Sequence, residues 1–328
     1  MLPLMIIVTG AAGFIGSQIA KHILAKRESD LVVVDQLKYF TDRRYLEDLK
    51  IKPISIEDSH HFLDHLNRFK KASWIIHMGA ISNTGETDSE ALKKWNVDYT
   101  KSLWNFSAEN KIPLIYASSA ATYGGGEFGF ADDEATIRKL QPLNLYGKSK
   151  QEFDLFALDQ NRSSRTPPHW YGLKFFNVYG PHENHKDRMA SSIWHGFSEI
   201  KKSGEMTLFK SHNPEFKDGE QARDFVYVKD VLTIVDFLIS KRPGNGIYNV
   251  GTGQCTTFSQ LAQNLFVAME KPLKIKWIPT PELYRAGYQY KTQAPMEKIK
   301  AAGFSNSPIK VKEAVMDYVQ YLNSIFGN

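Results

Sequence analysis

The sequence predicts an α/β fold: a doubly wound parallel sheet with a smaller mixed α/β lobe. Three observations predict it. Short apolar runs alternate with longer stretches of helical spacing through the first half of the chain. A glycine pattern lies where the first apolar run meets the first helical stretch. After about Asn177 strands become sparser, and loops rich in Gly, Asn and Pro appear, such as residues 210–221.

In order, residues 5–9 read as a first strand, 14–26 as a helix, 31–35 as a second strand and 53–56 as a third. Residues 74–77, 114–117 and 170–175 are further short strands. Helical stretches lie between them, near residues 58–70, 89–110 and 145–161. Strands alternating with helices imply right-handed crossovers and therefore a parallel sheet.

The 328 residues suit one large two-lobed domain or two tightly joined ones, and 42% hydrophobic residues are ample for a core. No stretch of about 18 uncharged apolar residues occurs, so no membrane span is expected. The apolar N-terminus lacks a basic lead and a small-residue cleavage site and reads as a first strand, with Met5 an alternative start. Cys255 is the only cysteine, which rules out an internal disulfide and suits a reducing cytosol. The 41 basic and 36 acidic side chains leave +5, spread along the chain. That pattern favours a solvated surface, with some cations meeting a small diphosphate, over a nucleic-acid stripe.

Gly10, Gly13 and Gly16 form G-x-x-G-x-x-G between the first strand and helix. Such glycines permit a tight turn and close approach of backbone to a pyrophosphate, and the helix N-terminus presents N–H groups and partial positive charge. A plain strand-to-helix turn is the competing reading. Asp35 ends the second strand nineteen residues after Gly16, where a carboxylate can hold an adenosine ribose. Gln36, Lys38, Arg43 and Arg44 follow, donors suited to a 2′-phosphate, so NADP and NAD both stay open. The first lobe is thus expected to be a Rossmann-type NADP-binding domain, residues 1–177 in the main, with the chain returning to it around 223–252. Residues 178–328 are mainly the substrate lobe.

Tyr146 and Lys150 make Tyr-x-x-x-Lys, which places both on one face of the helix expected there. A free tyrosine, with a pKa near ~10, is a poor base at neutral pH. A neighbouring ammonium and the charge of a nicotinamide favour the phenolate. Tyr146 then serves as acid/base for hydride transfer at a carbinol carbon, with Lys150 also reaching the cofactor ribose. Ser118 and Ser119 follow a strand end, and Ser119 is placed to bond the same substrate oxygen. His182, Glu183 and His185 lack metal-site spacing, and no metal is expected. The six tryptophans are expected to be packing residues that do not cluster, and His60 and His61 to be solvated.

Together with these motifs, the run from Arg223 to Val231 and that from Tyr248 to Gly253 resemble the extended short-chain dehydrogenase/reductases, which act on nucleotide sugars. A narrower set is similar to the branch of that family that epimerises C6 of an ADP-linked heptose. It comprises the runs from Ala117 to Gly125, Pro142 to Gly147 and Phe176 to Pro181, then His185-Lys186, Met189 to Ser191, and Tyr288-Gln289 with Thr292 to Ala294.

The resemblance implies bound NADP, no net redox change, and a role in making the heptose of the lipopolysaccharide inner core. It also implies a homo-oligomer, pentameric in the family. Tyr146 and Lys186 would be the two acid/base residues, assisted by Ser119 and Lys150. Cofactor contacts would come from Gly10, Gly13, Phe14, Ile15, Gly16, Asp35, Gln36, Lys38, Arg43, the loop Met78, Gly79, Ala80, Ile81 and Ser82, and Asn96, Val178 and Lys186. Substrate contacts would come from Ser119, Asn177, Arg188, His195, Phe209, Lys210, Ser211, His212, Arg223 and Tyr288.

Family cofactor lysines fall here near Ser59 and near Asp42 or Arg43, a family serine is Arg188, and the 213–221 loop is long. A UDP-sugar 4-epimerase is the alternative enzyme, and a cofactor-binding sensor without turnover the alternative of another class.

Overall fold

A computed structural model describes residues 5–26, 30–47, 53–285 and 289–327. In chain order its strands are β1 (Ile6–Thr9), β2 (Leu31–Asp35), β3 (Ser55–Asp58), β4 (Trp74–His77), β5 (Leu114–Ser119), β6 (Trp170–Phe175), β7 (Asn177–Tyr179), β8 (Met206–Phe209), β9 (Ala222–Arg223), β10 (Phe225–Tyr227), β11 (Gly246–Val250), β12 (Thr256–Thr257) and β13 (Ile275–Ile278). The helices are α1 (Phe14–Lys26), α2 (Leu37–Arg43), α3 (Ser89–Leu92), α4 (Tyr99–Asn110), α5 (Glu134–Ile137), α6 (Leu145–Arg162), α7 (Ser192–Ser203), α8 (Val228–Lys241), α9 (Phe258–Ala268), α10 (Glu282–Arg285), α11 (Glu297–Ala301) and α12 (Val311–Phe326).

Seven strands form the central sheet in the order β11-β6-β5-β4-β1-β2-β3, every pairing parallel. Strands covered on both faces read as continuous apolar runs, and β1 and β4 are buried along their whole length. The winding reverses between β1 and β4, and a crevice opens there beyond the carboxyl ends of the strands, where open α/β sheets bind ligands.

The expected strand at 53–56 lies two residues later, because β3 is the sheet edge. Its ends follow the pairing of Val32 with Ser55 through Asp35 with Asp58, while Ile54 and Ile56 are exposed. The helix expected at 58–70 is a 3-10 helix, Phe62–Phe69, that buries Phe62, Leu66 and Phe69. The stretch at 89–110 is helical throughout, but Lys93–Asp98 between α3 and α4 is a π turn that carries buried Asn96 inward. Such turns recur at functional sites. His60 is not simply solvated: it meets Trp95 edge-on at 4.9 Å. Trp104 and Trp170 do cluster, edge to face at 5.2 Å in the core.

A second hydrophobic cluster gathers Phe14, Tyr179, Phe197, Leu261, Phe266 and Tyr318. Ile15 and Val178 pack against both clusters and so join them. The motif residue Asp224, wholly buried, accepts from the backbone N–H groups of Thr252, Gly253 and Ala294 and from the Thr252 hydroxyl. One carboxylate thus fixes the turn after β11 against the chain around 294. No described helix is long and apolar enough to cross a membrane.

Beneath β5 lies a charged pair closed to water. The Lys174 ammonium is 2.6 Å from Asp154, both side chains 0% exposed. Ser118 and Tyr116 also donate to Asp154, and Lys174 donates to Thr122. Asp154→Ala, which strips the ammonium of its partner, is expected to cost about 3–5 kcal/mol. The pair replacement Asp154→Leu with Lys174→Met is expected to cost less; chemical denaturation midpoints of the two proteins check the order.

Candidate active site

The glycine loop is shaped by contact as well as by turn geometry. Gly10 sits at φ +68, and a Cβ there would stand 2.5 Å from the backbone nitrogen of Gly79. A Cβ on Gly16 would stand 2.1 Å from the Gly10 carbonyl oxygen. These approaches bring the start of α1 and the loop after β4 to the two sides of one crevice, and the first turn of α1 offers its N–H groups there. The cradle fits a dinucleotide pyrophosphate.

The loop Met78–Ser82 is built onto that crevice. Met78 N donates to Thr9 O at 3.1 Å. Asn96 clasps Ile81 through both of its backbone groups and donates to Ser149 at 2.9 Å. His77 bonds Thr9 on one ring nitrogen and Thr100 on the other. Burial lowers its pKa to about 3, so it stays neutral. Gly79, Ala80 and Ile81 are half-buried and Ser82 is exposed.

At the far end Asp35 accepts from Ala12 N at 3.0 Å and Gln36 N at 2.9 Å. Burial raises its pKa against those bonds and the Arg43 charge. Each carboxylate oxygen has a second lone pair for a ribose hydroxyl. Arg43 donates to Ala12 O at 3.0 Å and lies over the Tyr39 ring at 3.9 Å, with exposed Lys38 over the same ring at 5.0 Å. A fixed cation therefore stands near the Asp35 carboxylate.

Helix α6 starts at the Asn144 cap, whose side chain accepts from Gly147 N at 2.7 Å. Tyr146 and Lys150 are 8% and 5% exposed. Lys150 Nζ donates to Ala117 O at 2.9 Å, and Tyr146 is hydrogen-bonded to Ser119. Ser119 also caps the short 3-10 turn Ala120–Tyr123 by accepting from Ala121 N. Tyr146 and Ser119 therefore meet, with Lys150 held at the neighbouring Ala117 carbonyl.

Burial dominates the acidity of both Tyr146 and Lys150. Burial pushes the Tyr146 phenol up, the Ser119 bond pulls it back, and the Asp154 charge raises it again. Burial pushes Lys150 down to about 8, against the Asp154 charge. Desolvation outweighs the Ser119 bond, and the phenol form is favoured.

Lys186 lies in a 3-10 turn, Asn184–Met189, and places its ammonium over the Phe14 ring at 5.6 Å, at the start of α1. Burial lowers its pKa, with Glu183 opposing. Val178 packs between the two clusters, and Asn177, at the start of β7, is exposed. Arg188 is exposed on the rim.

In the second lobe a cavity of about 240 Å³ is lined by His195, Phe209, Gln221 and Phe258 among others. Arg223 covers Phe258 at 5.8 Å, so three expected substrate residues converge there. Lys210 donates its N–H to Ile278 O. The Tyr290 hydroxyl is a hub for the next turn: it meets Ser211 Oγ at 3.1 Å and His212 N at 2.9 Å, and its ring stacks on Phe216. The long 213–221 loop is tied back through Asp218, which accepts from Ser211 N. Gln289 donates to Gly124 O and Gln293 to Gly253 O. Tyr288 lies outside the described residues.

Asp154, Lys174, Tyr45, Gln221 and Phe258 escaped the sequence reading. Asp154 alone left a trace, as the third member of a 146, 150, 154 spacing on one helical face. Among the described residues no group of three or more His, Cys, Asp or Glu is placed to hold a metal.

Residues 6–251 match the model of the NAD dependent epimerase/dehydratase family. The chain is 43% identical to a Fusobacterium nucleatum protein named ADP-L-glycero-D-manno-heptose-6-epimerase, over 96% of this chain and 97% of that one. It is 37% identical to a Brachyspira hyodysenteriae protein of the same name, over 98% and 99%. The crystal structure of the Helicobacter pylori ADP-L-glycero-D-manno-heptose-6-epimerase superposes with a TM-score of 0.80 at 28% identity, covering 98% of this chain and 97% of that one. The glycine loop at the sheet's switch point, the family match over residues 6–251 and the likeness to these relatives over 96% and 98% of the chain place it in the NAD dependent epimerase/dehydratase family.

Proposed function

We propose that the protein interconverts ADP-D-glycero-β-D-manno-heptose and ADP-L-glycero-β-D-manno-heptose by oxidation at C6 and re-reduction with resident NADP, supplying heptose for the lipopolysaccharide inner core. The observation that carries the reading is the presence of two proton carriers on different elements, buried Tyr146 on α6 and half-buried Lys186 beside the start of α1. Relatives of the same name at 37–43% identity support the substrate.

A dinucleotide held at its pyrophosphate by the glycine cradle would supply a hydride acceptor and donor at a single position. Inversion therefore requires the sugar to present its other face, and rotation about the bond to an exocyclic carbon does so. The oxygen then lies elsewhere, and a second proton carrier meets it there. Tyr146 takes or returns the proton at one position, with Ser119 bonded to the same phenol. Lys186, whose ammonium burial makes more acidic, does so at the other. Lys150 holds its charge near the ribose and phenol. Residues 1–177, with the return near 223–252, serve mainly the cofactor, and 178–328 mainly the sugar nucleotide. The cavity at His195 and Phe209 receives the nucleotide part, and Arg223 faces its phosphates. Arg43, fixed beside Asp35, favours the 2′-phosphate of NADP over NAD.

The direct test follows C6 configuration by NMR, with purified protein, ADP-heptose and no added cofactor. Inversion is expected with ADP-heptose and not with UDP-glucose; a 4-epimerase would reverse that. Tyr146→Phe is expected to keep its circular dichroism and lose about 10²–10⁴-fold in kcat. Lys186→Met is expected to fall as far, and full epimerisation in that variant would remove the second base. Arg43→Glu is expected to shift the cofactor retained by the purified protein from NADP towards NAD, read by chromatography of the released nucleotide.

A further inference from the structure

The segment that carries Lys186 is held from three sides. Gln18 on α1 donates to Pro181 O at 3.0 Å, and Ser17 Oγ lies 2.8 Å from His182 Nδ1. Glu183, wholly buried, accepts from Ser191 N and Ser191 Oγ, both at 2.7 Å, and Lys186 N donates to the Glu183 carbonyl at 2.9 Å. The third anchor is Tyr45, just beyond α2. Its ring stacks on His182 with centroids 4.2 Å apart and planes 3° from parallel. Its hydroxyl donates to Asn184 Oδ1 at 2.6 Å and lies 2.9 Å from His185 Nδ1. A hydroxyl has one proton to give, so with Asn184 as acceptor the His185 Nδ1–H donates to Tyr45.

The backbone shows why anchors are needed. His182 and Asp187, which bracket the segment, both have positive φ, +77 and +45. Non-glycine residues stay in such conformations only where their surroundings over-determine them. Without its clamp the segment has a cheaper backbone available, and the Lys186 ammonium would leave its place over Phe14.

We propose that Tyr45 is a positioning residue for Lys186, coupling the second proton carrier to the strip after β2 that holds the adenosine end of the cofactor. The inference rests on the reading of Lys186 as the second acid/base. Tyr45 stands two residues beyond Arg43, and the Arg43 charge acts on both Tyr45 and His185. The base on α6 has its own support in Asn144 and Ser119, so loosening Tyr45 acts on one proton position alone.

In each oxidative half-reaction the C6–H bond breaks, the hydride passes to the nicotinamide, the hydroxyl proton passes to a base, and the sugar becomes a ketone. One epimer delivers its proton to Tyr146 and the other to Lys186. Tyr45→Phe keeps the ring stack and removes the hydroxyl. In single turnovers with each epimer in turn, followed by absorbance of the reduced nicotinamide, the variant is expected to slow about ten- to a hundredfold with one epimer and to match wild type with the other. Amide hydrogen exchange of residues 183–187 is expected to accelerate in the same protein, with cofactor retention unchanged. Equal slowing with both epimers, no slowing with either, or unchanged exchange would overturn the role of Tyr45. Wild-type protein that reduces its cofactor with neither epimer would overturn the reading of Lys186 and its substrate instead.

Discussion

The carboxylate of Asp154 joins the two elements on which the chemistry depends. It accepts from Ser118 and Tyr116 on β5, pairs with Lys174 on β6, and stands on α6 below Tyr146 and Lys150. Through Lys174 the link reaches Thr122, whose hydroxyl donates to the Ser119 carbonyl. The relative placement of Ser119 and Tyr146 is therefore set by a polar network built on a wholly buried pair. A buried ion pair contributes little net stability against its desolvation. Its effect here is to make one register of α6 on the sheet far better than its neighbours, since any slip strands a charge in the core.

The same dryness governs proton affinity. Burial favours neutral forms of both groups of the dyad, raising the Tyr146 phenol and lowering the Lys150 ammonium. It lowers Lys186 likewise. Burial thus keeps the Tyr146 phenol protonated. In the proposed reaction a cationic nicotinamide near Tyr146 would favour the phenolate, which would tie acid/base competence to the oxidised cofactor. Such coupling suits a reaction in which the hydride must return to the sugar it left.

Much of this was legible in the chain. Continuous apolar runs mark β1, β2 and β4 because central parallel strands are covered on both faces. The glycine loop and the Tyr146/Lys150 spacing are local, and local geometry is what a sequence pattern records. The edge strand β3 was misplaced because partner pairing and not apolarity sets its ends. The desolvation that raises the Tyr146 phenol is not legible in the sequence because it depends on residues distant along the chain, whereas the Lys150 charge is visible four residues away. Tyr45 and Lys174 left no signal: one is a lone aromatic after a short helix, the other a lysine inside an apolar strand, and only their partners 137 or more and 20 residues away give them meaning.

In the proposed reaction hydride leaves C6 and returns to it without passing through water. Epimerisation run to equilibrium in deuterium oxide tests this most directly, with C6 of the product read by proton NMR. The account predicts inverted product whose C6 hydrogen is wholly protium. Deuterium at C6 appearing in step with inversion would contradict it, since that pattern requires carbon deprotonation and exchange with solvent in place of hydride return.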